Sequence, residues 1–476
     1  MEYEVVIGLE VHVELATKTK IFCDCTTEFG GEINTHCCPI CIGMPGTLPV
    51  MNKEVVDFAI KVGLATHCEI ANFSKMDRKN YFYPDLPKAY QVSQFDLPIC
   101  KEGYIDIEVE GKTKRIGITR IHMEEDAGKL IHSSFGTGSL IDYNRCGVPL
   151  IEIVGEPDLR SAEETKAYVE KLRSIIQYVG ASDCKMQEGS LRADVNLSVR
   201  SIGEKKLGTR TEMKNLNSFK AIVHAIIHEQ KRQISEIEQG KKIIQETRRW
   251  DDDKGKSYAM RSKEEAHDYR YFPEPDLVPI EISNEKIEKI RLQLPKLPHE
   301  RVKRYIEEYN LPSYDAKILT SSKDIADFFE QAVKSGANPK KASNYIMGNV
   351  MKLMNQFNDE SIPFSGEKLA KLIHMVEKNI ISQNIAVKVL QYMYESKKDP
   401  EVIVKEKNLA SLNDEGELNS VVETTIKENE KSVNDYISGN LKAIGFLMGQ
   451  VMKQTKGKAN PQLVNKLLKE KLEKMK

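Results

Sequence analysis

The sequence predicts an α+β protein, because the spacing of its apolar residues changes once along the chain. From the amino terminus to about residue 290, short segments alternate apolar with polar residues. They are punctuated by turn signals such as Phe29-Gly30-Gly31, Glu102-Gly103 and Glu110-Gly111, a pattern of half-buried strands with one or two helices interposed. From about Glu300 the apolar residues take helical spacing instead. Ile325, Phe328, Phe329 and Ala332 fall at i, i+3, i+4 and i+7, as do Leu369, Leu372, Ile373 and Val376. The carboxyl-terminal third is therefore expected to be all helix. A chain of 476 residues is too long for one core, and roughly three domains are expected.

Charged residues make up 30% of the chain, yet the formal net charge is −1, so whole-chain charge predicts neither a nucleic-acid nor a membrane partner. Its distribution says more. Leu441 to Lys476 holds nine lysines against Glu470 and Glu473, a net +7 that could face a polyanion. No apolar run is long enough to span a bilayer, and Met-Glu-Tyr-Glu is acidic where a signal or transit peptide would be basic, so a soluble cytosolic protein is expected. Nine cysteines, an odd number, fit reduced thiols and a metal site better than a disulfide framework.

The first strand, Gly8-Leu-Glu-Val-His-Val-Glu14, puts Leu9, Val11 and Val13 on one face and Glu10, His12 and Glu14 on the other. That polar row is either solvated or the floor of a site. Cys23-x-Cys25 and Cys38-x-x-Cys41 follow, two pairs separated by twelve residues that include Gly30-Gly31. Four thiolates at tetrahedral reach suit a closed, structural Zn²⁺ better than a set of unrelated free cysteines would explain the spacing. Cys37 is a spare that could replace Cys38, and Cys68, Cys100, Cys146 and Cys184 read as small core residues.

Further on, an alternating strand ends in His122, Glu124, Glu125 and Asp126, three consecutive carboxylates that are held together most easily beside a cation or Arg120. Glu152 sits inside the apolar strand Val148-Pro-Leu-Ile-Glu-Ile-Val, where a lone ionised carboxylate is costly and needs a partner. Leu191 to Arg200 sends Arg192, Asp194, Asn196, Ser198 and Arg200 to one face, and Arg210, Glu212 and Lys214 repeat the idea. Each face alone could be solvated; several together fit one concave polar surface. Hard oxygen ligands with an occasional imidazole suit Mg²⁺. Two segments, Arg78-Lys-Asn-Tyr-Phe-Tyr-Pro84 continuing to Tyr90, and Asp268-Tyr-Arg-Tyr-Phe-Pro-Glu-Pro-Asp276, either stack unpaired bases or pack as ordered loops.

In the helical third, Asn338-Pro339 and Asn460-Pro461 are helix starts, a soft boundary lies near Asp399-Pro400, and Ser411 to Glu417 reads as a linker. Met347-Gly-Asn-Val-Met-Lys352 is echoed by Met448-Gly-Gln-Val-Met-Lys453, by chance or by an old helical duplication. No phosphate-binding Gly-x-x-x-x-Gly-Lys-Ser/Thr loop, dinucleotide fingerprint, protein-kinase signature or Gly-x-Ser-x-Gly elbow is present, so any use of ATP follows another template.

Read together, several of these blocks resemble one family. They are Val6-Ile-Gly-Leu-Glu-Val-His-Val-Glu-Leu15, Asp77-Arg-Lys-Asn-Tyr-Phe-Tyr-Pro-Asp85, His122-Met-Glu-Glu-Asp-Ala-Gly-Lys129, Pro149-Leu-Ile-Glu-Ile-Val-Gly-Glu-Pro-Asp158, Glu188-Gly-Ser-Leu-Arg-Ala-Asp194, Lys214-Asn-Leu-Asn-Ser-Phe219 and Asp268 to Asp276. All look like GatB, the B subunits of aspartyl/glutamyl-tRNA amidotransferases, and Leu447 to Pro461 resembles the YqeY-like tail that closes the same family. The resemblance implies a mainly antiparallel cradle domain with the zinc knuckle over 1–292, a helical domain over 293–405 and a tRNA-binding tail over 406–476. It implies an ATP- and Mg²⁺-dependent phosphorylation of the side-chain carboxylate of Glu-tRNA(Gln), and often Asp-tRNA(Asn), followed by displacement of phosphate by ammonia. The ammonia comes from an amidase (glutaminase) partner, the A subunit, with a small C subunit completing the assembly.

By the same resemblance Glu10, His12, Glu125, Asp194 and Glu212 are the Mg²⁺ ligands, with Glu124 and Glu152 in support. Lys79, Arg192 and Lys214 contact phosphate or the tRNA end, and Cys23, Cys25, Cys38 and Cys41 hold zinc. Glu14 is expected at the solvent end of its strand. The competing readings are a non-catalytic tRNA-binding or assembly protein and a two-metal hydrolase or nuclease built on the same carboxylates.

Overall fold

The computed structural model describes every residue except 1, 133–137, 263–267, 358, 360, 411–414, 456, 460 and 476. The chain divides into two compact units, 1–297 and 298–476. In the first unit, chain order begins β1 (Tyr3–Glu14), α1 (Lys53–Ala65), β2 (Glu69–Ile70), β3 (Phe73–Ser74), β4 (Asp77–Asn80), β5 (Tyr90–Ser93) and β6 (Cys100–Val109). It continues with β7 (Lys112–Glu125), β8 (Lys129–His132), β9 (Ser139–Asp142), β10 (Pro149–Gly155), α2 (Ala162–Tyr178), β11 (Leu191–Ser201) and β12 (Thr211–Lys214). Then come α3 (Phe219–Glu238), β13 (Glu246–Asp251), β14 (Lys256–Ser262), β15 (Phe272–Pro273), β16 (Ile280–Glu281) and α4 (Asn284–Gln293).

A nine-stranded sheet in the order β14-β13-β12-β11-β1-β10-β7-β6-β2 forms the body of this unit. All neighbours pair antiparallel except β12 and β13. β1 lies at its centre, between β10 and β11, because its alternation is clean enough to serve two partners at once. Val5, Ile7, Leu9, Val11 and Val13 are at most 3% exposed and share one core with apolar residues of α1, α2 and α3. A one-residue slip of β1 would turn these five side chains to the polar face, at about 1.5–3 kcal/mol each, so the register is strongly fixed.

The sequence signalled one or two helices here, whereas α1, α2 and α3 all cover the sheet. Tyr168, Leu172, Ile175 and Ile176 of α2, and Ala221, Ile222, Ala225 and Ile226 of α3, form the buried stripes. Asn52, Ser161 and Ser218 cap the three helices by accepting from the backbone N–H of Glu54, Glu164 and Ala221.

Smaller sheets adjoin the large one, and Val92 of β5 lies in the same core. β15-β4-β5 joins the two aromatic segments, setting Arg78 opposite Phe272, and the Arg78 guanidinium donates to both carboxylate oxygens of Glu274 at 2.6 and 2.8 Å. Leu294 and Leu297 still pack into the first core, which carries this unit past the expected end at 292.

The described residues of the second unit form helices from Pro298 to Glu473, with a π-helical turn at Ile346–Val350. They build two separate cores, one running from Tyr305 to Val404 and the other from Leu418 to Leu472. Asn338 caps its helix by accepting from Lys341 N–H; Asn460 lies outside the described residues. Asp399-Pro400 starts the helix Pro400–Glu406, whose Ile403 and Val404 belong to the first of these cores, so it is a joint within a core and not a boundary. The change of core falls between Leu409 and Leu418; of the expected linker, 411–414 lie outside the described residues and 415–417 begin the helix Glu415–Glu428. The sequence echo occupies matching places: Ile346 and Val350 are buried in one core, Leu447 and Val451 in the other.

Candidate active site and metal centres

The polar face of the nine-stranded sheet is a trough whose centre line is β1. Strand register brings the polar and ionisable residues together: Glu10 lies opposite Asp194, Asn196 opposite Glu212, His12 opposite Glu152, and Glu152 opposite His122. Two acidic groups result. Glu10, Asp194 and Glu212 offer oxygens within 4.8 Å of one another, and His12, Glu124 and Glu152 form a second such set. Since Glu10 and His12 are two residues apart on β1, the groups are neighbours on one face.

In the second group, His12 Nε2 is 3.5 Å from Glu124 and 3.7 Å from Glu152. His122 backs it: its Nε2 is 3.0 Å from Glu152 and 3.8 Å from Glu124. Burial opposes a charge on His122, but the two carboxylates outweigh it and push the imidazole up to about 9. Glu124 and Glu152 are held below the ordinary carboxylate range, against their burial, chiefly by His122. Glu152 thus has the partner that its place in an apolar strand requires.

In the first group, burial followed by Glu152 and Glu212 raises the Glu10 carboxyl, while Asn196 donates to it at 2.9 Å. Lys214 donates to Asp194 at 2.5 Å and lies 3.0 Å from Glu212, and Thr247 donates to Glu212 at 2.7 Å. Five carboxylates thus converge on a small area. Hard oxygens with one imidazole are the donor set that suits Mg²⁺, so the residues fit that ion.

Other expected residues are distributed around the trough. Lys79 lies 4.9 Å from the ring centre of Tyr269 and 5.7 Å from that of Tyr81, and its charge helps to lower Glu152. Arg192 turns to Asp126, donating at 2.9 Å, with Arg145 3.2 Å from the same carboxylate. Glu14 is not the solvent end of its strand: burial, then the Asp126 charge, raise its carboxyl to about 8, against the pull of Arg192 and Arg145.

Glu125 does not join either acidic group. Consecutive residues of a strand point to opposite faces, so Glu125 accepts from Lys88 at 2.5 Å and from Val92 N–H at 2.8 Å behind Glu124. With Lys88 it lines a cavity of about 140 Å³ whose other wall carries Phe22, Cys23 and Cys41. Four site residues gain a role only here: His122, Asn196 and the pair Tyr81 and Tyr269, whose ring centres are 5.8 Å apart. His122 stands one alternation before Glu124, a signal present in the sequence; the tyrosines come together only through pairing between distant segments.

The cysteines gather as their spacing implies. Cys23, Cys25, Cys38 and Cys41 bring their sulfurs within 4.8 Å of one another. Cys37 stays outside, donating to Asn34 O at 3.2 Å, so Cys38 is the member of the group. A hydrogen bond from Cys23, with help from Cys38 N–H and the buried ammonium of Lys20 3.7 Å away, lowers the Cys41 thiol to about 5. Four thiols at this spacing fit a closed tetrahedral Zn²⁺ site.

Among the described residues no helix is long and apolar enough to cross a membrane. Residues 5–288 match the GatB/GatE catalytic domain and 327–472 the GatB domain. Curated relatives named as the B subunit of aspartyl/glutamyl-tRNA(Asn/Gln) amidotransferase align along the full length of both chains. They are 63% identical in Caldicellulosiruptor bescii, 59% in Thermoanaerobacter pseudethanolicus and 56% in Carboxydothermus hydrogenoformans. The first match alone spans more than half of the chain, and with the acidic trough it completes the case: this chain belongs to the family of aspartyl/glutamyl-tRNA(Asn/Gln) amidotransferase B subunits.

Proposed function

We propose that the chain is the B subunit of a multi-subunit, tRNA-dependent amidotransferase, and that the trough activates the side-chain carboxylate of Glu-tRNA(Gln) or Asp-tRNA(Asn) with ATP. The observation that carries this reading is the pair of acidic groups sharing β1. A carboxylate resists attack by ammonia until one of its oxygens becomes part of a leaving group. Transfer of the γ-phosphoryl of ATP to that oxygen gives an acyl phosphate and ADP; ammonia attacks the carbonyl carbon, and phosphate departs with the C–O bond electrons, leaving the amide.

Bringing these anions together requires positive charge. Glu10, Asp194 and Glu212, with His12, Glu124 and Glu152, would hold Mg²⁺, which supplies charge neutralisation of phosphoryl oxygens. Lys214 bridges Asp194 and Glu212 and is placed to offset charge as a phosphate approaches. His122, on the neighbouring strand of the same face, orients Glu152 and Glu124. Lys79, flanked by Tyr81 and Tyr269, would meet the anionic tRNA end, and the tyrosines would limit water at the acyl phosphate. Arg192 acts through Asp126.

We assign the cysteine group to structural zinc, and place two partners beside this chain in the cytosol: the amidase that supplies ammonia and the small third member of the assembly. The core formed by Leu418 to Leu472 is the proposed tRNA-gripping tail, supported by the +7 charge beyond Leu441; ending the chain at Leu409 should raise the KM for tRNA strongly, and an unchanged KM would remove this role.

The deciding experiment mixes the assembled enzyme with glutamine, Mg²⁺-ATP and Glu-tRNA(Gln). ADP formed in step with Gln-tRNA(Gln) supports the reading. Tight tRNA binding without ADP would favour a binding or assembly protein, and tRNA cleavage would favour a nuclease.

A further inference from the structure

Lys20 has no exposed surface, yet among the described residues no carboxylate lies within ion-pair distance of it. A buried ammonium is costly unless anions or acceptors surround it. Other lysines drawn into this unit meet that need with carboxylates: Lys88 ends on Glu125, and Lys214 on Asp194 and Glu212. Lys20 lines the same cavity as Glu125, Glu274 and Asp276, but Lys88 and Arg78 hold those three. Its own Nζ donates instead to His36 O at 2.6 Å and to Cys41 Sγ at 3.7 Å.

The backbone around Lys20 directs its head to that place. Its N–H donates to Cys25 O at 2.9 Å, its carbonyl accepts from the Asn52 side chain at 3.3 Å, and the next N–H, that of Ile21, donates to Gly147 O at 2.9 Å. A Cβ on Gly147 would lie 3.4 Å from Cys41 Cβ and 3.6 Å from Lys20 Cδ, so the lysine stem and the cysteine rest against the same stretch of backbone. Lys20 thereby joins the two halves of the cysteine group, the first pair through Cys25 and the second through Cys41. Cys41 is the buried member of the four, at 4% exposed, so little water reaches its sulfur. Its donors are Cys38 N–H at 3.1 Å and the Lys20 ammonium. Four thiolates around Zn²⁺ leave an excess of negative charge, and a cation donating to one sulfur offsets part of it.

We propose that Lys20 is a positioning residue of the cysteine group, holding Cys41 in place for zinc and offsetting the excess charge of the four-thiolate site. This rests on the structural-zinc assignment above. The ammonium takes the place that a carboxylate or backbone group takes behind a ligating histidine, with the sign reversed because the ligands are anions.

The test loads the assembled enzyme, stripped of metal, with Zn²⁺ against a competing chelator and with Co²⁺ as a spectroscopic probe. Lys20→Met should bind Zn²⁺ roughly 10- to 100-fold more weakly than wild type. It should also move the thiolate-to-Co²⁺ charge-transfer band to longer wavelength, because a thiolate relieved of a cationic donor gives up electrons more easily. Asn144→Ala removes the acceptor of His36 N–H, 2.8 Å away, and loosens the same loop without touching a sulfur, so it should leave the band where it is. Wild-type affinity in Lys20→Met overturns the proposal, as does weaker binding with an unmoved band, which would make Lys20 a packing residue only. A wild type that takes up neither Zn²⁺ nor Co²⁺ refutes the zinc assignment itself. Should Lys20→Met fail to fold, Lys20→Gln, neutral but still a donor for His36 O, is read in the same way.

Discussion

The cysteine group and the acidic trough each gather ligating side chains, and they do it in opposite ways. The four cysteines come from 19 consecutive residues and close on one another with no position left open. The six candidate ligands of the trough come from five strands, β1, β7, β10, β11 and β12, and present five carboxylates along an open face. A short-range, closed, soft cluster of this kind would stabilise the loop that carries it once a metal is bound. An open cluster with excess negative charge is incomplete without cations, so its strain is useful only if chemistry follows.

Substitutions at the two places should therefore separate activity from stability. The largest effect is expected for Asp194→Asn or Glu10→Gln. Loss of several kcal/mol of transition-state stabilisation corresponds to a fall of about 10³-fold in ADP formation, with the melting temperature little changed. Cys41→Ser should do the reverse: less than one zinc per chain by metal analysis and a melting temperature lower by several degrees, while ADP formation at low temperature stays within about twofold. If Cys41→Ser abolished ADP formation in a folded protein, the division between the two regions would break.

A smaller effect is expected beside the second acidic group, on the neighbouring strand. His122 touches both Glu152 and Glu124, and His122→Gln should raise the Mg²⁺ concentration for half-maximal activity roughly 10- to 100-fold, with rate recovered at high Mg²⁺. A loss that no Mg²⁺ concentration repairs would give His122 a direct role.

The smallest effect lies outside both groups and provides a metal-independent control. Glu229 of α3 accepts from Thr211 at 2.8 Å and from Arg232 at 2.7 and 2.9 Å. Burial opposes its ionisation, but Arg232, Gln233 and Thr211 outweigh burial and hold its carboxyl below the usual range. A depressed folded-state value contributes stability above the unfolded value, near 4.5, that is lost as pH falls through the folded value. Glu229→Gln should cost about 1–3 kcal/mol at neutral pH in urea unfolding and flatten the acid limb below the ordinary carboxylate range. An acid limb identical to wild type would show that this network does not carry the loss.

The same contrast explains what could be read before the structure. Cys23, Cys25, Cys38 and Cys41 were legible because their ligand geometry is encoded in local spacing. The face of β1 was equally legible, since period two separates Glu10 and His12 from Leu9, Val11 and Val13 without knowledge of neighbours. What spacing could not give was which strands lie beside β1. That register joins Glu152 and His122 to His12 across long stretches of chain, and it sends Glu125 to the back of the sheet beside Lys88. Period two already implied that Glu124 and Glu125 could not share a face. The helices α2 and α3 were underestimated because their stripes lie between strong strand signals.

The central claim is that a phosphoryl group passes to the substrate carboxylate in the trough, and oxygen tracing tests it most directly. Glu-tRNA(Gln) carrying ¹⁸O in the side-chain carboxylate would be converted by the assembled enzyme with glutamine and Mg²⁺-ATP, and the released phosphate analysed by mass spectrometry. The account predicts one ¹⁸O in inorganic phosphate for each Gln-tRNA(Gln) formed. Gln-tRNA(Gln) formed with unlabelled phosphate would contradict it.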